Sequence, residues 1–150
     1  MTTPTEEYAS ANADLEANKA VVRAYYSASQ AGDRSRFGAL PAPRLLRDRT
    51  QLRPLGGRRH TAESFRDEVM PHLAKMLDFT HFKYESLVAE GDQVVALVSI
   101  GIADTDDSVL ISEHWTVRDG KALSLLVLFF EPQKLLDSIH LAHGLKTFAY

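Results

Sequence analysis

An α+β fold, with N-terminal helices packed on a curved antiparallel sheet, is what the sequence predicts. Three observations lead there. Up to about residue 77 the apolar side chains recur at helical spacing, whereas from residue 82 to residue 130 their period falls to two. The later segments are joined by Glu90-Gly91-Asp92, by residues 104–107 and by Asp119-Gly120. Connections that short suit an antiparallel meander, because a parallel crossover needs a dozen residues or more. Helices first and a meander afterwards define the α+β class.

The elements follow in order. Residues 1–12 are small and polar and read as a flexible tail ahead of one domain over residues 13–150. A helix over residues 14–30 carries Ala17, Val21, Ala24, Tyr25 and Ala28 on one stripe and stops at Ala31-Gly32-Asp33. A short helix over 34–40 ends at Pro41-Ala42-Pro43, and residues 50–55 form a strand closed by Gly56-Gly57. A second long helix, 61–77, lines up Phe65, Val69, His72, Leu73 and Met76, with a kink at Pro71. Four strands occupy 82–89, 94–103, 109–118 and 122–130, and an amphipathic helix spans 132–143.

Composition narrows the function classes. The 150 residues fit one core, and 45% hydrophobic with 25% charged is the balance of a globular domain. Seventeen basic against twenty acidic residues leave a net charge of −3, which gives no global attraction to nucleic acid. No cysteine is present, so disulfides, thiol nucleophiles and cysteine-ligated metals are excluded. The polar start lacks the apolar stretch of a signal peptide, and the longest apolar run, 125–130, is far too short to span a bilayer. A cytoplasmic protein with no membrane contact is expected. His140 and His143 lie three apart without an accompanying carboxylate, so no metal is expected. Nucleotide-binding glycine motifs and the G-x-S-x-G elbow are missing as well.

The strand over 109–118 is the most informative stretch. Alternation places Val109, Ile111, Glu113, Trp115 and Val117 on one face, and Leu110, Ser112, His114 and Thr116 on the other. The first set is the apolar one, so Glu113 is a carboxyl among hydrophobes beside the only tryptophan. Burial disfavours the carboxylate and makes such a group a proton donor at neutral pH. A salt bridge to a buried arginine is the structural alternative. The last strand is apolar on both faces, with Leu125, Val127 and Phe129 opposite Leu126, Leu128 and Phe130. Both faces then need cover, and a homodimer through the outer face is expected.

Charge is uneven too. Nine arginines fall between Arg34 and Arg66, against Asp48, Glu63 and no lysine. They form either a solvated face or a patch that steers an anionic substrate. With only Phe37 and Phe65 interleaved, they do not read as a nucleic-acid surface.

Several stretches resemble the NTF2-like superfamily, and within it the SnoaL-like polyketide cyclases and the ketosteroid isomerases. They are Val22-Arg23-Ala24-Tyr25-Tyr26 running to Ala31-Gly32-Asp33, the segment from Ala89 to Ala96, and the hairpin from Trp115 to Lys121 leading to Phe129-Phe130-Glu131-Pro132. The resemblance covers roughly residues 13–137 and implies a cone-shaped barrel with a deep apolar pocket between helices and sheet. It aligns Tyr25, eight residues ahead of Asp33, with the isomerases' helix tyrosine, and Glu113 with their protonated strand acid. Tyr25 and Glu113 would then donate hydrogen bonds to a substrate oxygen. Arg53, before Pro54, stands where the isomerases carry their general base. Arginine stays protonated, so isomerisation by that route is disfavoured. Arg53 would instead clamp an anion or pair with Glu113, and a pair would keep Glu113 ionised.

Dehydratases of this fold use pocket histidines, which points to His72 and His81 as further catalytic candidates. Arg53, Phe65, Val69, Trp115 and Phe129 complete the expected substrate-binding wall. The resemblance thus implies a cofactor-independent isomerase, cyclase or dehydratase. Its substrate would be a hydrophobic, oxygenated small molecule of polyketide, steroid or terpenoid type. Epoxide opening, or a non-catalytic small-molecule-binding or interaction module, are the alternatives. Fold alone does not choose among them.

Overall fold

Thr3 starts the first helix. Its hydroxyl accepts the Glu6 N–H while the Glu6 carboxylate accepts the Thr3 N–H at 2.8 Å, a reciprocal capping box with Pro4 in the first turn. Helix α1 therefore runs Pro4–Gln30, ten residues beyond the start at Asp14 expected from periodicity, and residues 4–12 of the segment read as a tail are helical. The computed structural model describes residues 3–33, 44–45, 67 and 70–143. The helix over 34–40, the strand over 50–55 and the first part of the 61–77 helix lie outside them.

The remaining elements are β1 Arg44–Leu45, α2 Met70–Met76, β2 Leu77–Glu90, β3 Gln93–Ile102, β4 Ser108–Arg118, β5 Lys121–Phe129 and α3 Pro132–His143. The sheet order is β1-β5-β4-β3-β2. Strands β2 to β5 form the antiparallel meander that the short connections require, and β1 adds a parallel pairing to β5 that the sequence reading did not foresee. The 61–77 helix was also expected to reach Leu77, but Leu77 already pairs with Ile102 as the start of β2. The β4–β5 turn is the two-residue Asp119-Gly120, both at positive φ (51° and 71°), which matches the twist of the flanking strands.

Alternation fixes the inner face. Val94, Ala96, Val98 and Ile100 of β3, Val109, Ile111, Trp115 and Val117 of β4, and Leu125 and Val127 of β5 are buried together. Register shifts in β2 after Asp78 and Tyr84 change which residues face inward, so Phe82 and Tyr84 but then Leu87 and Ala89 pack on this core. Val22 and Tyr26 of α1 and Leu135 of α3 complete it. On α1 the buried stripe is Val22, Tyr26 and Ala28, rotated one residue from the Val21–Tyr25 stripe expected, and Ala17 is exposed. The outer face holds half-buried Val95, Leu97, Leu110, Leu126 and Leu128, and Phe130 is 46% exposed.

Candidate active site

Glu113 projects from the middle of β4 onto the inner face, two residues from Trp115. Its register neighbours are Ala96 on β3 and Val127 on β5, so neither adjacent strand offers the carboxyl a polar side chain. The partner comes from α1. Tyr26, only 4% exposed, donates its hydroxyl to Glu113 Oε2 at 2.5 Å. That length is typical of a phenol donating to a carboxylate oxygen.

Aromatic rings wall the pair. Tyr26 packs on Phe82 at 5.0 Å, meets Tyr84 edge-on at 5.5 Å and approaches Trp115 edge-on at 6.3 Å. Tyr25 stacks on Trp115 at 5.3 Å with an interplanar angle of 18°. The two tyrosines thus hold the indole between a face contact and an edge contact.

This environment sets the protonation states. Desolvation raises the Glu113 carboxyl to about 7, and the Tyr26 hydrogen bond and the nearby Trp115 N–H, which both favour the carboxylate, only partly oppose it. Tyr26 shifts far upward, through burial first and the neighbouring Glu113 charge second, so the phenol keeps its proton. Tyr84 is raised by desolvation and by Glu113, with Arg23 acting in the other direction. Glu113 is therefore the member of this cluster that exchanges a proton near neutrality.

The sequence-derived residues separate into three groups. Glu113, Tyr25 and Trp115 meet at one place, with Phe129 on the same inner face two residues beyond Val127 and packed on the core. The phenol bonded to Glu113, however, is Tyr26, not Tyr25. A phenol has one proton, so while Tyr26 donates to Glu113 it does not also donate to a substrate. His72 and His81 are not brought there. His72 was expected on the apolar face of its helix and is exposed. His81 is 79% exposed and bound through Nδ1 to Asp78 Oδ2 at 2.6 Å. The Asp78 carboxyl is lowered to about 2, first by the Thr80 hydroxyl and then by His81. Arg53, Phe65 and Val69 lie outside the described residues.

Tyr26, Phe82 and Tyr84 were missed by the sequence reading. The even alternation of Phe82 and Tyr84 would have placed both on one face of β2. Among the described residues, no group of three or more His, Asp or Glu side chains is arranged to hold a metal ion, and no helix is long and apolar enough to cross a membrane.

Comparison with known proteins agrees with this architecture. An NTF2-like protein from Burkholderia thailandensis superposes with a TM-score of 0.59 at 20% identity, covering 81% of this chain and 96% of its own. An NTF2-like protein of unknown function from Burkholderia pseudomallei gives 0.60 at 18%, with coverages of 85% and 98%. A steroid delta-isomerase from Pseudomonas aeruginosa gives 0.60 at 16%, with coverages of 87% and 94%. Identities this low speak for a shared fold. No curated protein matches by sequence search. The family model of the SnoaL-like domain matches residues 22–125, from the buried Val22 of α1 to the buried Leu125 of β5. The chain belongs to the SnoaL-like domain family, and it shares its fold with the NTF2-like proteins above.

Proposed function

We propose that this protein is a cofactor-independent isomerase, cyclase or dehydratase in which Glu113 moves a proton on a hydrophobic, oxygenated small molecule of polyketide, steroid or terpenoid type. The observation that carries the reading is a carboxyl poised near neutrality inside an aromatic wall, with a hydrogen bond from Tyr26. A carboxyl near the working pH is both a competent acid and a competent base. With Tyr26 occupying Oε2, Oε1 is the oxygen that protonates a substrate carbonyl or takes its α-proton. Tyr26 orients the carboxyl, and Tyr25, Phe82, Tyr84, Trp115 and Phe129 supply the apolar surface for a flat carbon skeleton. His72 and His81 sit outside this cluster, and among the described residues Glu113 is the group that returns the proton. The active form is a homodimer that covers the apolar outer face around Leu126 and Leu128.

Proton exchange tests the reading. The protein is incubated in D2O with a β,γ-unsaturated 3-ketosteroid, an aromatic polyketide ketone and a cyclic terpenoid ketone, and mass spectrometry follows deuterium at the α-carbon. Exchange on at least one ketone, falling about 100-fold or more in Glu113→Gln, is expected from the usual share of an acid–base group. Binding without exchange on any of them identifies a non-catalytic module instead. Equal exchange in both proteins moves the chemistry away from Glu113.

A further inference from the structure

Trp115 is 2% exposed, and its indole N–H is buried without a hydrogen-bond partner among the described residues. A buried donor without an acceptor is a standing cost that folded proteins rarely carry. The ring has little freedom to seek one elsewhere, since Tyr25 stacks on its face and Tyr26 meets its edge. The N–H nevertheless acts on the Glu113 carboxyl and on the Tyr26 hydroxyl, drawing each toward its charged form. Glu113 and Trp115 leave the inner face of β4 two residues apart, and Tyr26 touches both, the carboxyl through its hydroxyl and the indole through its ring. Tyr26 reaches the carboxyl from α1 and Tyr84 senses its charge from β2 with Arg23 behind, while β3 and β5 present Ala96 and Val127.

We propose that the Trp115 indole N–H is a positioning donor for Glu113, engaged when the carboxyl has given its proton away. A neutral carboxyl is a weak acceptor and leaves the indole idle. The carboxylate accepts strongly at both oxygens and takes the Trp115 N–H as a second hydrogen bond beside that of Tyr26. The two donors then fix the carboxylate in the orientation from which it recovers its proton. Trp115 thereby answers the desolvation that Glu113 suffers on ionising. Its place in a catalytic cycle rests on the proton-transfer reading above, but the contact itself does not.

Trp115 is the only tryptophan, so 15N-labelled protein gives one indole N–H resonance. Between pH 5 and 9 that resonance is expected to move downfield with the midpoint of the Glu113 carboxyl, and to stay still in Glu113→Gln. In Trp115→Phe, which keeps a stacking ring, the Glu113 midpoint read from its carboxyl 13C signal should rise by about one pH unit, the order of one hydrogen bond to a charged group. An indole that does not titrate in the native protein overturns the proposal. So does a folded Trp115→Phe whose midpoint is unchanged or lower, since a purely packing role would lower the melting temperature alone. If Trp115→Phe does not fold, the native indole titration decides. Neither readout uses turnover, so an inactive protein with a titrating indole would sink the enzymatic reading and leave this contact standing.

Discussion

The Tyr26 hydroxyl and Glu113 Oε2 are 2.5 Å apart across 87 residues of sequence. The contact joins the first helix to the centre of the sheet, and it ties an element of the fold to the group with the most perturbed carboxyl. Removing it should therefore be felt in stability and in protonation together. Tyr26→Phe is expected to destabilise the protein by about 1–2 kcal/mol, because the partly buried Oε2 loses its donor. It should also push the Glu113 midpoint further up, because a bond that favours the carboxylate is gone. Urea unfolding and a carboxyl titration of the same variant check the two effects.

Glu113 makes stability depend on pH in an unusual direction. Its carboxyl sits at about 7 in the folded chain against 4.5 for the ordinary group. Between those values the folded state holds the proton and the unfolded state releases it. This contribution is thus complete below 4.5, is lost as pH rises toward 7, and changes no further above that. Relative to Glu113→Gln, the native protein should lose on the order of 3 kcal/mol between pH 4 and pH 8. Paired urea denaturation curves at the two pH values measure it.

The outer sheet face gives a prediction about assembly. Across it Leu97, Ser112 and Leu128 lie in register, and His114 pairs with Leu126. Sedimentation equilibrium at micromolar concentration should give twice the 16.7 kDa chain mass. Leu128→Asp should give the single chain, because an unpaired charge in an apolar interface is costly. A native protein that sediments as one chain would remove the dimer from the proposal.

Gly101 supports the irregular start of β2. A Cβ there would come 2.9 Å from the His81 Cβ and 3.2 Å from the Asp78 carbonyl oxygen. Both belong to the stretch where the β2–β3 register shifts, so the backbone would have to move. Gly101→Ala should cost about 1–3 kcal/mol by overpacking, seen as a lower melting temperature, without altering the Glu113 midpoint.

Much of the fold was legible because the sheet repeats with period two and its turns are short. The burial of Val109, Ile111, Trp115 and Val117 follows directly from alternation, and so does the inward position of Glu113. The helix was harder. Val21-Val22 and Tyr25-Tyr26 are doublets four residues apart, so a stripe through the first members looks the same as one through the second. Leu15, seven residues before Val22 and eleven before Tyr26, favours the second stripe, which is the buried one. The early helix start was written in the sequence as Thr3-Pro4-Thr5-Glu6, a capping signal that hydrophobic periodicity ignores. The two-residue strand β1 carries no pattern of its own and exists only through its pairing with β5. The unpartnered indole depends on ring orientations that no linear pattern encodes.

The central claim is that Glu113 holds and releases a proton near neutral pH, and its own titration tests this most directly. The 13C spectrum of glutamate-labelled protein, compared with that of Glu113→Gln, isolates one carboxyl signal to be followed from pH 3 to pH 9. A midpoint near 7 is the result predicted. A midpoint at or below 4.5, as an ion pair with an arginine such as Arg53 would produce, would contradict it.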